Sequence, residues 1–341
     1  IVCTTDALHH EYIIRSVEKG CNVICEKPIT IDLEKSRAIV DAIRRTGRNV
    51  RVTFNVRWTP AAEKLRELIL AGTIGNVKHV NMEYLLNTSH GADYFRRWHS
   101  EKASSGGLLV HKSTHHFDIV NWWMDSRPAA VHAFGTRVKY GAGNGPAGRG
   151  ARCLDCAVKA SCEFYADISK DPFMAKYYLG AEHEDGYIRD RCVFDERIDI
   201  YDTMSVNVSY RSGALLTYSL VAYSPYEGWR AAINGSGGRM EVAHVYGNAD
   251  MRATEEGLIR ILRPDGTKEE VRVDSSAEGH GGGDARLRKT LFAGGEADPL
   301  GRQADSMAGA MSLLIGATAN RSIAEGRALP IPDVSPDEGQ P

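Results

Sequence analysis

Over residues 1–55 the apolar positions switch between continuous β-branched runs and helical spacing. Ile1-Val2-Cys3-Thr4-Thr5 and Asn22-Val23-Ile24-Cys25-Glu26 read as strands buried on both faces, with Val50 to Phe54 as a third. Between them, Ala7, Tyr12, Ile13, Ile14 and Val17 recur at helical spacing after a capping Asp6 and before Lys19-Gly20. Leu33, Ile39, Val40 and Ile43 repeat the pattern from Asp32 to Arg45, with Gly47 just beyond. Strand, helix, strand, helix, strand is the βαβ pattern of a parallel sheet with right-handed crossovers. It predicts the tail of a doubly wound domain, entered by this chain part-way through.

After Pro60 the texture changes. A helix carrying Leu65, Leu68, Ile69 and Leu70 stops at Gly72, and Val77 to Leu85 reads as a strand. Ala130–Val138, Thr203–Tyr210, Ala214–Val221 and Ala231–Ile233 follow, with hairpin turns at Arg211-Ser212-Gly213 and Gly235-Ser236-Gly237-Gly238. These predict an α+β domain over residues 56–329 with an open, mostly antiparallel sheet. Helices are expected at Ser113–Trp123, Ala285–Phe292 and Ser306–Ala324, and residues 330–341 form a Pro- and acid-rich tail. Residues 139–195 look like an insertion: they open on the Gly-rich run Gly141 to Gly150 and hold four of the seven cysteines.

Composition narrows the partners. The 341 residues suit two domains, and 42 Lys+Arg against 44 Asp+Glu leave a net charge of -2, with no surplus to hold phosphate backbones or anionic membranes. The weakly polar stretch Met307 to Ala319 is too short to span a bilayer, which needs about 20 residues. No secretory leader opens the sequence and the cysteine count is odd, which favours a reduced, cytoplasmic protein. Cys3, Cys21 and Cys25, in or beside strands, are expected in the core.

Two segments could carry chemistry. Glu26-Lys27-Pro28 closes the second parallel strand, and ligands of open α/β sheets bind outside the carboxyl ends of strands. A lysine held there can bond a substrate hydroxyl and assist its proton loss, although alone such a lysine is more often a solvated charge. The second is Gly106-Gly107-Leu108-Leu109-Val110-His111-Lys112-Ser113-Thr114-His115-His116-Phe117-Asp118. On one helix His111, His115 and Asp118 would share a face, as a polar site, a solvated helix start or a two-histidine metal site lacking its usual glutamate.

Cys153-Leu154-Asp155-Cys156, with Cys162 and Cys192, fits a tetrahedral thiolate site for structural zinc, an iron-sulfur cluster less well, or simple buried thiols. The turn His280-Gly281-Gly282-Gly283-Asp284 and Trp98, beside Arg96 and Arg97, are candidates for the substrate pocket, whereas Trp122-Trp123 reads as core.

The Val2-Cys3-Thr4 strand end, Glu26-Lys27-Pro28, Asn55-Val56-Arg57-Trp58-Thr59-Pro60 and the segment from Gly106-Gly107 to Asp118 together resemble the Gfo/Idh/MocA family of NAD(P)-dependent oxidoreductases. The resemblance implies that residues 1–55 are the remainder of an NAD(P)-binding Rossmann domain and that the reaction is hydride transfer between NAD or NADP and a secondary hydroxyl of a sugar, inositol or related polyol. It gives Lys27 contact with the reacting hydroxyl and maps the family's Asp-x-x-x-His pair onto His111 and His115, with histidine in the aspartate's place.

By the same resemblance Thr4, Thr5, His9, Glu26 and Asn55 line the nicotinamide end of the cofactor, with Arg57 helping Asn55 to position cofactor or substrate. Lys112, Trp98, His280 and Asp284 are expected to face the substrate. Gly-x-Gly-x-x-Gly is expected in a front of roughly 80 residues ahead of Ile1, at about 30 residues per βαβ step. A redox-assisted glycosidase using bound NAD, or a non-catalytic sugar-binding or assembly protein, are the rival readings. A homo-oligomer paired through the open sheet is expected, with neither nucleic acid nor membrane as partner.

Overall fold

The computed structural model describes residues 1–246, 257–274, 279–294 and 297–334. Val2 makes a parallel bridge to Cys25 at the end of β1 (Val23–Cys25), and β1 pairs in parallel with β2 (Val50–Val52). Helix α1 (His9–Glu18) buries Ile13 and Val17. Helix α2 (Leu33–Thr46) starts where the Asp32 carboxylate accepts from Lys35 N and stops at Gly47, whose φ of 65° suits a residue without Cβ. Asp6 does not cap α1: it lies in a separate 3-10 turn, Asp6–Leu8, and Leu8 precedes the helix.

Cys25 is in the core, but Cys3 and Cys21 are exposed. Cys3 alternates with buried Val2 to the other side of its strand, and Cys21 follows the turn at Gly20 outside both α1 and β1.

The second part begins with α3 (Pro60–Leu70) and β3 (Val77–Asn87), then runs through α4 (Thr88–Arg96), α5 (Lys102–Ser105), α6 (Leu108–His111) and α7 (Thr114–Met124) to β4 (Pro128–Thr136). The insertion holds only α8 (Pro172–Tyr177), α9 (Glu182–Asp185) and short 3-10 turns. There follow β5 (Thr203–Tyr210), β6 (Leu215–Ser224), β7 (Glu227–Gly235), β8 (Gly238–Tyr246), β9 (Leu258–Leu262) and β10 (Lys268–Arg272). The chain ends through α10 (Gly283–Ala293), β11 (Ala304–Asp305), α11 (Ser306–Glu325) and β12 (Leu329–Pro330).

Among the described residues β10-β9-β8-β7-β3-β6-β5-β4-β12 form one nine-stranded sheet, antiparallel except for the central β3–β6 pair, and β11 returns to pair with β2. Strict alternation in β5, with Met204, Val206, Val208 and Tyr210 buried, gives the sheet one face for the helices and leaves the other open. Trp122 and Trp123 are buried on the helical side, their indole N–H groups donating to Leu300 O and Ala62 O.

The helix expected at Ser113–Trp123 is α7, but the run from Leu108 to Asp118 is not one helix. Ser113 N turns back to Leu108 O and its hydroxyl bonds Tyr218 OH at 2.9 Å, so α6 ends at His111 and α7 starts at Thr114. His111, His115 and Asp118 therefore do not share one helical face.

Helix α11 joins the two parts. Leu313 packs in the core of the parallel sheet, and Ile315 and Ala319 in that of the large sheet; in α6, Val110 belongs to the first core and Leu109 to the second. Gly316 permits the contact, because a Cβ there would lie 2.0 Å from Leu109 O. Gly316→Ala is expected to force α6 and α11 apart and to cost about 1–3 kcal/mol, read as a lower midpoint of thermal unfolding.

Candidate active site

A cleft of about 760 Å³ opens between the carboxyl ends of the parallel strands and the α6–α7 segment. Glu26, Lys27 and Asn55 come from the strand ends, Lys112 and His115 from the facing segment, and Asp284 from α10. Asn55 Nδ2 donates to Asp284 Oδ1 at 2.6 Å and joins the two walls. Phe54, at the end of the third strand run, sets its ring edge-on to His115 at 5.9 Å.

Lys27 is fixed from behind. Its Nζ donates to His111 O at 3.2 Å and lies 3.4 Å from His111 Nε2, while His111 Nδ1 donates to Asp6 Oδ2 at 2.6 Å. The carboxylate selects the imidazole tautomer whose bare Nε2 faces the lysine. Burial holds His111 well below the usual histidine range, with Lys27 adding to it, so the ring stays neutral. Burial also lowers the Lys27 pKa against the opposing pull of Asp6 and Glu26, and raises that of Asp6, a shift Lys27 resists. An amine whose pKa is brought toward neutrality can both bond and exchange a proton with a substrate oxygen.

Asp6 is the member of this chain of contacts that sequence reasoning missed, because its partner lies 105 residues away. The carboxylate absent from position 111 is supplied by residue 6 from the other part of the chain.

Behind His90, Tyr94 and Lys112 of the cleft lining lies a polar and aromatic cluster. Glu227 accepts from His90 Nδ1 at 2.9 Å, from Asn87 Nδ2 at 3.0 Å and from Tyr84 OH at 3.4 Å. Burial raises the Glu227 pKa, but its bond with His90 and the nearby charges lower it overall, so it is an anion at neutral pH. Lys112 places its ammonium 4.9 Å from the Tyr84 ring centroid; burial, then Lys27, lowers its pKa to about 8, with Glu227 opposing. His90, Asn87 and Glu227 were not singled out in the sequence, since they carry no motif and meet only when α4 folds over β7.

Other expected site residues are placed elsewhere. Arg57 is buried and donates from Nε and Nη2 to the two oxygens of Asp118, both at 2.7 Å, and from Nη1 to Gly301 O, which directs it away from the cleft. His9 is fully buried, its ring nitrogens lying 2.8 Å from Pro28 O and 3.0 Å from Thr4 O, so it staples the Lys27 turn to the first strand. Thr4 and Thr5 are outside the cleft lining, and Thr4 is exposed. Trp98 stacks on His99 at 3.7 Å rather than lining the cleft. Gly279–Gly282 forms a 3-10 turn leading into α10, and the His280 side chain lies outside the described residues.

The expected zinc site is not supported. Cys153, Cys156, Cys162 and Cys192 line one cavity of about 20 Å³, but among the described residues no three Cys, His, Asp or Glu side chains converge to hold a metal. Cys153 Sγ instead accepts from Arg96 Nη1 at 3.0 Å and Cys156 Sγ from Gly150 N at 3.3 Å. A guanidinium against the thiols opposes a dication, and it anchors the insertion by donating to Phe164 O as well. The Gly141–Gly150 run makes turns in this insertion, and all seven cysteines are free.

Residues 66–331 match the description "Oxidoreductase family, C-terminal alpha/beta domain" and residues 1–54 match "Oxidoreductase family, NAD-binding Rossmann fold". The chain belongs to the Gfo/Idh/MocA oxidoreductase family.

It is 38% identical over 342 aligned positions to YteT of Bacillus subtilis (strain 168), named as an oxidoreductase, covering 95% of this chain and 79% of that protein. Inositol 2-dehydrogenase of Rhizobium meliloti (strain 1021) is 30% identical over 133 positions, 39% of this chain and 38% of the relative. Among solved structures, levoglucosan dehydrogenase in complex with NADH and levoglucosan superposes with a TM-score of 0.65 at 19% identity, covering 97% of this chain and 79% of that one. No described helix is long and apolar enough to cross a membrane.

The Arg57–Asp118 pair carries a prediction. Both side chains are almost wholly buried, so Asp118→Ala strands a guanidinium and is expected to cost about 3–5 kcal/mol, measured by thermal denaturation, while cofactor affinity of the folded fraction is unchanged.

Proposed function

We propose that the protein transfers a hydride between NAD or NADP and a secondary hydroxyl of a sugar, inositol or related polyol. The observation that carries this reading is the Asp6–His111–Lys27 chain, which ends at a cleft edge shared with His115 and Asn55. The site fits the nicotinamide end of the cofactor: Ile24, Thr53 and Asn55 form a wall at the carboxyl ends of the strands, and Leu287 and Phe292 of α10 face it. Names of relatives support the substrate class, since they include inositol 2-dehydrogenase and levoglucosan dehydrogenase.

Bound there, the nicotinamide supplies the hydride acceptor. Lys27 donates a hydrogen bond to the reacting oxygen through Nζ and holds it against the cleft edge. His115, on the facing segment, takes the proton. His111 acts through Lys27 and does not touch the substrate; it is a positioning residue, as is Asp6 behind it. Asn55, tied to Asp284, fixes the separation of the walls. Pairing of two copies through the open face of the large sheet, in the cytoplasm, belongs to the same proposal.

The test is turnover by the full-length gene product of a panel of inositols, aldoses and anhydrosugars with NAD and NADP, followed by reduced-cofactor absorbance. Failure of every member together with failure to bind either nicotinamide would overturn the reading. Lys27→Met is expected to lower kcat about 10²–10⁴-fold while nicotinamide affinity changes little.

Asp6→Asn removes an anion that raises the Lys27 pKa, so the Lys27 limb of the pH–rate profile is expected to move to lower pH. A purely structural Asp6 would change stability and leave that limb in place.

A further inference from the structure

Lys112 is nine-tenths buried, lines the cleft, and has no hydrogen-bond acceptor among the described residues. Lysine is almost never buried this deeply unless paired, and an unpartnered polar group calls for an explanation. The anion nearest in kind, Glu227, is already engaged by His90, Asn87 and Tyr84 and forms no ion pair with Lys112. The other charge acting on Lys112 is Lys27, which repels it. What remains is the Tyr84 ring face at 4.9 Å. Two ammonium groups, those of Lys27 and Lys112, thus line one cleft.

We propose that Lys112 receives a carboxylate of the substrate, which makes the preferred substrates sugar acids such as uronates rather than neutral sugars. The inference rests on the dehydrogenase reading and specifies its substrate class. A carboxylate at Lys112 gives the buried ammonium its missing partner, and the sugar ring then lies between Lys112 and Lys27, where its ring hydroxyl meets Lys27. Glu227 and His90 stand beside this position to bond the neighbouring hydroxyls, which sets the orientation of the ring.

The experiment measures dissociation constants by calorimetry for D-glucuronate and D-galacturonate against D-glucose and D-galactose. It uses the full-length gene product with NADH bound, or without it if NADH does not bind. The wild-type protein needs no variant to give the first answer: at least tenfold tighter binding of an acid than of its neutral parent is expected. Lys112→Met is expected to bring that ratio near one, and Lys112→Arg to keep most of it, with thermal unfolding confirming that each variant is folded.

Equal binding of acid and neutral sugar, binding of neither, or an acid preference that survives Lys112→Met would overturn the proposal. Failure of the dehydrogenase reading is separately visible. A protein that prefers uronate through Lys112 but neither binds nor reduces a nicotinamide keeps the subsite and loses the redox chemistry.

Discussion

The hydrogen bond between Asp6 and His111 is the constraint on which the site depends. It joins the 3-10 turn Asp6–Leu8, which follows the Val2 bridge, to the end of α6, so one buried contact fixes both the tautomer behind Lys27 and the approach of the two walls. Burial disfavours the charged form of every member, raising Asp6 and lowering His111 and Lys27, while their mutual bonds hold them in place. Such a chain works only if its geometry is kept. Helix α11 keeps it by packing Leu313 into one core and Ile315 into the other, against the same α6.

Much of the architecture was legible in the sequence because it rests on local rules. The Asp32 cap and the Gly47 stop marked α2 closely, and the turns at Arg211-Ser212-Gly213 and Gly235 to Gly238 lie where β5 meets β6 and β7 meets β8. Lys27, His115, Lys112, Asn55 and Asp284 all reach the cleft. The misses have one physical origin, partners distant in sequence. Spacing put His111, His115 and Asp118 on one face, but Tyr218, far along the chain, bonds Ser113 where the helix divides and Arg57 claims Asp118. Arg57 belongs to the same motif stretch as Asn55, yet its buried carboxylate partner decides its direction. The cysteine spacing suggested zinc, and an arginine from α4 occupies the place beside the thiols instead.

The uneven burial of the lysines divides the cleft by task. Lys27 has two acceptors on His111 and is held rigidly; among the described residues Lys112 has only an aromatic face and is held by packing. A rigid donor suits an atom whose position must not vary during reaction, and an unsatisfied one suits a group that arrives with the ligand. The open face of the large sheet has no such asymmetry: Glu83, Arg230, Arg239 and Glu241 mix both signs there.

The insertion touches the back of α4, which forms part of the cleft lining. Arg96, at the end of α4, is gripped by Cys153, Phe164 O and Arg191 O, and Tyr140 stacks on Phe95 at 4.2 Å. The same helix carries His90 and Tyr94 to the cleft. Sequence drift in the insertion can thus tilt α4 and reshape this side of the cleft while the Asp6–His111–Lys27 chain stays untouched. Under the proposed function, substrate range and catalytic competence are therefore separately evolvable in this chain, with the insertion acting as the adjusting screw.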